Sequence, residues 1–167
     1  MPHDDAHRAA DGSRRPRGPE RLYRDLAFAE AVTWTLLLLG MLLKYVLHVT
    51  ELGVRLGGGV HGFVFLSYVS VTILVAVDRR WSMRDLLLGL GSSVIPYATI
   101  PFERSAARRG LLAQRWRLLE EEPSGPVERV AATALRHPVP ALLATLVVLA
   151  LVFAGLLAAG PPTEWFS

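Results

Sequence analysis

Five side chains that can carry a proton, bind an ion or donate a hydrogen bond lie within two apolar stretches between residues 27 and 77. They are Glu30, Lys44 and His48 in the first stretch and His61 and Tyr68 in the second. Helical periodicity, about 100° per residue, places the members of each set on one face. We call these five residues the polar stripe. Because polar groups in a membrane helix turn toward protein rather than lipid, we expect the two sets to face each other.

Glu30 has two open interpretations. Ionisable residues inside membrane segments are functional candidates, so Glu30 is a candidate proton-relay or cation site. The alternative is an ion pair at the inner edge of the membrane, for which Arg79 or Arg80 is the expected partner. The full set of inner ion-pair candidates is Glu30, Arg79, Arg80, Arg84 and Glu103.

The two histidines also have alternative interpretations. In an antiparallel hairpin His61 is expected level with His48, and with Glu51 nearby they are candidate metal or haem ligands. No fixed motif spacing supports this, so interfacial hydrogen bonding is the prediction, with no metal and no cofactor. Lys44 either binds an anionic headgroup or extends toward the membrane surface. Tyr68 is expected to donate a hydrogen bond across the hairpin.

The composition excludes several classes of protein. Of 167 residues, 51% are hydrophobic and none is cysteine, which removes disulfides and thiolate chemistry. The sequence has no phosphate-binding glycine loop, zinc-protease pair or serine elbow, so we predict that it is not an enzyme. The formal net charge is +3, but the arginines flank apolar segments. They therefore indicate contact with anionic lipid rather than nucleic acid.

The elements that position the polar stripe are two predicted membrane helices joined by a loop at residues 50–59. Gly57, Gly58 and Gly59 are expected to make this loop flexible. Residues 1–22 are predicted to be a disordered basic tail. The basic residues Arg14, Arg15, Arg17, Arg21 and Arg24 precede the first helix, whereas Arg55 alone lies in the loop. This asymmetry predicts a multi-pass protein of the bacterial plasma (inner) membrane with a cytoplasmic N-terminus.

A third apolar segment, residues 86–102, follows a basic turn in which Ser82 is a predicted N-cap. Pro96 predicts that its helix kinks or stops near Ile95. Two alternatives stay open for this segment. If it crosses the membrane, the following linker lies outside; if it re-enters and turns back, all but one of the arginines are cytoplasmic. The charge rule favours re-entry.

The remaining sequence predicts an amphipathic linker, residues 105–137, and a C-terminal transmembrane helix within residues 138–167. In the linker, leucines and Trp116 share one side of a predicted surface helix at 108–119, and a second short amphipathic turn follows at 127–135. Residues 141–160 carry no charge. The predicted fold class is therefore an all-α integral membrane protein with a helical hairpin, a kinked third membrane segment that is re-entrant or spanning, an amphipathic surface helix and a C-terminal transmembrane helix.

Several separated short motifs carry a resemblance to a known family. They are Glu30, Leu43-Lys44-Tyr45, His61-Gly62-Phe63, Arg80-Trp81-Ser82, Ile95-Pro96-Tyr97 and Phe102-Glu103-Arg104. Over residues 23–104 the chain resembles the bacterial integral membrane family named domain of unknown function 3817, to which the YdzA-like proteins belong. It departs from the family in having Pro96-Tyr97-Ala98 where Pro-Phe-Gly is expected. The resemblance implies a module of three hydrophobic segments without an assigned activity.

These observations favour a non-enzymatic membrane protein that serves as an accessory or assembly subunit of a larger membrane complex. Its expected partners are membrane lipids and other membrane subunits or a second copy of itself. The alternative is a carrier of protons, ions, lipid or another small ligand that uses the polar face of the hairpin. Internal pairing of the polar stripe is typical of a subunit, whereas a wet cavity is typical of a carrier.

Overall fold

The structure, a computed structural model, describes residues 18–158, with the backbone alone described at 149, 152, 153 and 156–158. All regular structure in this range is helical. The helices are α1 (Pro19–Met41), α2 (Leu52–Arg79), α3 (Met83–Val94), α4 (Thr99–Arg108), α5 (Arg117–Glu120), α6 (Pro126–Arg136) and α7 (Pro138–Ala158). The chain forms two compact units, Met1–Trp116 and Arg117–Ser167. The predicted disordered tail lies outside the described residues up to position 17, and α1 begins within its predicted last residues.

The first unit is built on the hairpin of α1 and α2. A π-helical turn, Leu42–Val46, extends α1, and the resulting helices Pro19–Val46 and Leu52–Arg79 are each 28 residues long and apolar enough to cross a membrane. The predicted loop at residues 50–59 is wrong, because α2 begins at Leu52 and contains all three glycines. A glycine-rich sequence in a membrane hairpin allows close helix contact as readily as it allows a flexible loop.

The third apolar segment is divided as predicted. Ser82 caps α3 by accepting a hydrogen bond from the Asp85 amide at 3.1 Å, and α3 ends at Val94, just before Ile95 and Pro96. After a turn in which Tyr97 has a φ of 66°, α4 returns toward the start of α3. An ion pair of 2.6 Å between Asp85 and Arg109 joins the two ends. The segment therefore turns back within the first unit.

The predicted surface helix at 108–119 is wrong. Gly110, with a φ of 69°, ends α4, and the Leu111 amide donates to the Ala106 carbonyl at 2.9 Å. A left-handed glycine with this hydrogen bond closes a helix end. Residues 111–116 follow without regular secondary structure, and we call them the strap. The Ala113 carbonyl in the strap accepts a hydrogen bond from the Glu20 amide at 3.0 Å. The leucines and Trp116 that predicted an amphipathic helix thus include buried strap residues, Leu112 and Trp116.

The second unit contains α5, α6 and α7. The predicted short amphipathic segment at 127–135 is confirmed as α6. The C-terminal apolar segment is helical from Pro138, earlier than the predicted position 141, because proline is tolerated in the first turn of a helix. The chain bends by 114° between the helices Pro126–Arg136 and Pro138–Val148. Taken together, these two helices are long and apolar enough to form one membrane span. Crossing by the C-terminal helix stays a prediction, and residues 159–167 lie outside the described range.

Candidate functional site

The register of the hairpin decides which polar residues meet. Gly40 of α1 packs against Gly53 of α2, where an added Cβ would lie 2.5 Å from a backbone atom of Gly53. Further along, Gly57 packs against the Leu36 backbone. His61, one turn beyond Gly57, therefore lies level with Thr33 and Glu30. The predicted alignment of His61 with His48 is wrong because it placed the hairpin turn in the glycines rather than before Leu52.

Glu30 and His61 form a buried pair at the centre of this interface. Glu30 is fully buried, His61 is 9% exposed, and the Glu30 Oε2 to His61 Nδ1 distance is 3.7 Å. The Thr33 Oγ1 atom lies 3.1 Å from the same ring nitrogen and donates to the Glu30 backbone carbonyl at 3.0 Å. Among the described residues 18–158, neither carboxyl oxygen of Glu30 has a hydrogen-bond partner. The Trp34 ring, 4.5 Å away between centroids, packs on the imidazole.

A second polar cluster, which we call the tyrosine network, lies nearer the start of α1. The Tyr23 and Tyr68 hydroxyls are 2.7 Å apart. Tyr23 also accepts from Thr72 Oγ1 at 3.1 Å, and Tyr68 is 3.0 Å from Ser92 Oγ on α3. Both tyrosines and Thr72 are fully buried. Tyr68 thus makes the predicted bond across the hairpin, and three helices meet at this network.

Sequence reasoning missed Tyr23, Thr33 and Ser92 as members of these clusters. Tyr23 lies seven residues before Glu30. That spacing is close to two helical turns, so the face of Glu30 continues onto Tyr23 and a longer helix would have revealed it. Ser92 had no signal in the sequence, because its position depends on the direction in which α3 packs.

The other two members of the polar stripe lie at the hairpin turn. Lys44 forms an ion pair of 3.2 Å with Glu51, and its Nζ lies 5.3 Å from the Tyr45 ring centroid. His48 has a φ of 53° and is exposed. The structure therefore separates His48 from His61. Within residues 18–158 it contains no group of three or more His, Cys, Asp or Glu arranged to hold a metal.

Four of the five predicted inner ion-pair residues, all except Glu30, lie at the opposite end of the first unit. We call this the basic end: the start of α1, the turn between α2 and α3, and the end of α4. Here Glu103 pairs with Arg24 at 3.5 Å, and Arg24 pairs with Glu20 at 2.8 Å. Glu30 does not form the predicted pair with Arg79 or Arg80, because the register places it beside His61. Arg79 and Arg84 are exposed, and Arg80, with a φ of 53°, caps α2.

At the basic end, the pKa of the Asp85 carboxyl is changed by the groups that contact it. The Ser82 hydroxyl donates to Asp85 Oδ2 at 2.7 Å, and Arg109 Nη2 lies 2.6 Å from Oδ1. The Ser82 hydrogen bond and then the Arg109 guanidinium lower the pKa of Asp85 below its ordinary value. Asp85 therefore stays ionised and holds the end of α4 against the start of α3.

Comparisons with known proteins match more than half of the chain. The family described as "Domain of unknown function (DUF3817)" matches residues 20–108, just over half of the chain. The chain is also 46% identical over 101 residues to "Putative membrane protein SCO5905" of Streptomyces coelicolor. That match covers 58% of this chain and 12% of the relative. No solved structure gives a significant match. With its two apolar spans and the resemblance over residues 23–104 confirmed, the chain is a membrane protein that belongs to the DUF3817 family.

Proposed function

We propose that this chain is a non-enzymatic module of the bacterial plasma membrane that acts as an accessory or assembly subunit of a larger membrane protein complex. The observation that carries this proposal is the Streptomyces coelicolor relative, of which the matched segment is only 12%. In that protein the segment is part of a much longer chain named as a membrane protein. A module that is covalently joined to a larger membrane protein in one case is well suited to bind one in another.

The interior of the first unit supports this role. The tyrosine network pairs its hydroxyls with one another across α1, α2 and α3. Such internal pairing stabilises the packing of a membrane bundle and leaves those groups unavailable to a ligand. The outer face of α2, in contrast, exposes apolar side chains such as Leu56, 70% exposed, and Phe63, 53% exposed. These are suited to contact lipid or the helices of a partner.

The proposed orientation places the basic end in the cytoplasm and the third segment as a re-entrant pair. Tyr97, at the turn between α3 and α4, lies 3.2 Å from Thr35 through its hydroxyl. Thr35 is eleven residues beyond Arg24. Eleven helical residues rise about 16 Å, roughly half of a hydrocarbon core about 30 Å thick. The pair then enters to mid-membrane and returns, which keeps the arginines on one side.

Purification of the tagged chain in mild detergent, with mass spectrometry of proteins and lipids, tests the subunit role. We expect a membrane protein in fixed stoichiometry. Leucine at Gly62 or Gly155 probes two faces, because a Cβ at either position meets no atom within 4 Å and leaves the internal packing intact. One of these variants should lose the partner while the other retains it. A wild-type chain that purifies without any stoichiometric partner contradicts the proposal.

A second candidate function is proton binding or transfer, and the Glu30–His61 pair favours it. A fully buried carboxyl without a hydrogen-bond partner, 3.7 Å from an imidazole, is suited to share a proton with that ring. Thr33 Oγ1, which approaches the same nitrogen, is a further hydrogen-bonding group beside it. The Glu30–His61 pair resembles intramembrane proton sites in the chemistry of its side chains.

Reconstituted liposomes containing a pH-sensitive dye separate this candidate from the subunit role. A proton carrier predicts flux in wild type that Glu30→Gln abolishes and Glu30→Asp partly retains. Glu51→Gln is the matched control, since Glu51 is an exposed glutamate at the hairpin turn and pairs with Lys44 instead of His61. Wild-type liposomes that are no more permeable to protons than empty ones exclude the carrier.

A further inference from the structure

A groove of about 540 Å³ lies between α1 and α4 at the basic end. Its charged lining consists of Arg24, Arg104, Arg108 and Glu103, and its apolar lining includes Phe28 and Ile100. All of these residues belong to the first unit, so the groove is formed by one packed pair of helices. Its lining includes no residue of the Glu30–His61 pair or of the tyrosine network.

The charges in the groove are unbalanced. Arg24 already has two carboxylate partners, Glu20 at 2.8 Å and Glu103 at 3.5 Å. Arg104 and Arg108 are exposed, and within residues 18–158 the structure gives neither of them an acidic partner. They are four residues apart on α4, a spacing at which like charges repel. An anion bound between them would relieve this repulsion and accept hydrogen bonds from two guanidinium groups.

Along the groove, the lining residues change from charged to apolar in the same direction on α1 and on α4. On α4, Ile100 lies one turn from Arg104, and on α1, Phe28 lies one turn from Arg24. The helices are antiparallel, so both apolar residues lie farther from the basic end than the arginines do. Phe28 is 65% exposed. A phosphate followed by a hydrocarbon chain has this order of groups, whereas a free anion or an acidic peptide does not.

We propose that this groove binds one anionic glycerophospholipid, with its phosphate against Arg104 and Arg108 and an acyl chain against Phe28 and Ile100. Basic pockets beside membrane helices on the cytoplasmic side recognise anionic headgroups in this way. The bound lipid contacts both α1 and α4 and therefore holds these two helices together. The site is independent of the proposed subunit role.

Native mass spectrometry of the full chain in detergent tests the site, with titrations of phosphatidylglycerol and of phosphatidylcholine that carry identical acyl chains. Phosphatidylglycerol is expected to bind about tenfold tighter or more. The double variant Arg104→Gln/Arg108→Gln should weaken its binding about 30-fold, equivalent to about 2 kcal/mol, and leave phosphatidylcholine unchanged. Arg79→Gln/Arg84→Gln is the matched control, because these exposed arginines at the same end carry the same charge outside the groove.

Three results would overturn the proposal. They are equal affinity for the two lipids, an equal loss of phosphatidylglycerol binding in the two double variants, and displacement of the lipid by inorganic phosphate at comparable concentration. If the glutamine variant does not fold, Phe28→Ala provides a separate test in a chain that keeps every charge. It should weaken both lipids about tenfold, through lost apolar contact. Unchanged binding by that variant contradicts the acyl-chain contact.

Discussion

At the level of single residues, the buried polar groups of the first unit form two clusters that differ in hydrogen bonding. In the tyrosine network each hydroxyl has a partner, whereas the Glu30 carboxyl, at the same interface, has no hydrogen-bond partner in the part of the chain that the structure describes. A buried polar group without a hydrogen bond costs free energy, which makes such a group a functional candidate. We therefore propose different roles for the two clusters: the tyrosines stabilise helix packing, and Glu30 with His61 forms the candidate proton site.

A double-mutant cycle of Tyr23→Phe and Tyr68→Phe tests the structural role of the tyrosine network. Because the two hydroxyls bond to each other, the pair should show a coupling energy of about 0.6 kcal/mol, with an upper limit of about 1.7. The measurement is the free energy of unfolding in mixed detergent micelles. Tyr45→Phe is the control, since the Tyr45 side chain is 61% exposed. A coupling energy indistinguishable from zero would show that the 2.7 Å contact contributes nothing.

The pH dependence of stability depends in part on Asp85. Its pKa is lowered in the folded state, so below its ordinary pKa the unfolded chain binds more protons than the folded one. The stabilisation is complete above the ordinary value of 3.8 and is lost as the pH falls through the folded pKa. Asp85→Asn should therefore show a smaller loss of unfolding free energy on acidification than wild type. Ser82→Ala should reduce that loss in the same direction, because it removes the hydrogen bond that Asp85 accepts.

If wild type and Asp85→Asn lost stability in parallel over this range, the hydrogen bond from Ser82 and the ion pair with Arg109 would be too weak to hold α4 against α3. The same two contacts join the ends of the third segment. The strength of these two contacts therefore also measures how stably α4 is held against α3 in the turned-back third segment.

At the level of elements, the glycines of α2 differ in what surrounds them. Gly53 and Gly57 contact the α1 backbone, whereas Gly59 and Gly62 have no atom within 4 Å of a built Cβ. The first two therefore permit the close approach of the helices, and the others are open to the surroundings. Sequence alone does not separate these roles, because a run of glycines indicates a loop and a helix contact equally.

Substitution of Gly40 should weaken the hairpin. A Cβ at this position would lie 2.5 Å from the Gly53 carbonyl carbon, a backbone atom that cannot move aside as a flexible side chain could. Gly40→Ala should lower the free energy of unfolding by about 1–3 kcal/mol, as expected for overpacking. Gly62→Ala, on the open face, should instead raise it by about 0.5–1 kcal/mol, because alanine loses less conformational entropy. Equal effects of the two substitutions would contradict the register of α1 against α2.

Element by element, the sequence was most informative where local chemistry alone decides the structure. Ser82 as an N-cap and the break before Pro96 were predicted, since each depends on residues within one turn. The strap beyond Gly110 was not, because its leucines and Trp116 satisfy helical periodicity while their burial against the first unit depends on distant helices. Because the hairpin turn was predicted at the wrong position, His61 was not predicted to lie beside Glu30 and Thr33. Register between helices is a tertiary property that hydrophobic periodicity does not determine.

At the level of the whole molecule, the arginine distribution and the turned-back third segment point to the same topology. The basic end contains Arg24, Arg79, Arg84 and Arg109, and the opposite end of the first unit contains Arg55. Positive charge is retained on the cytoplasmic side of membranes. The ion pair between Asp85 and Arg109 keeps the end of α4 on the same side as the start of α3.

Single cysteines test this topology, because the natural chain has none. Val49→Cys lies at the hairpin turn, Arg79→Cys at the end of α2 and Gln114→Cys in the strap, and all three positions are exposed. We expect an impermeant thiol reagent to label Val49→Cys on intact cells. Arg79→Cys and Gln114→Cys should react only after the cells are permeabilised, and the cysteine-free parent should never react.

The position of Gln114 decides between the two alternatives for the third segment. Re-entry places Gln114 with Arg79, because α3 and α4 together reach only the level of Thr35 before the chain returns. Crossing would place it with Val49, on the outside. Labelling of Gln114→Cys on intact cells, with Arg79→Cys protected, would therefore refute re-entry. It would also require α4 to separate from Arg24, Trp81 and Glu20, to which α4 and the strap are joined through Glu103, Leu111 and Ala113.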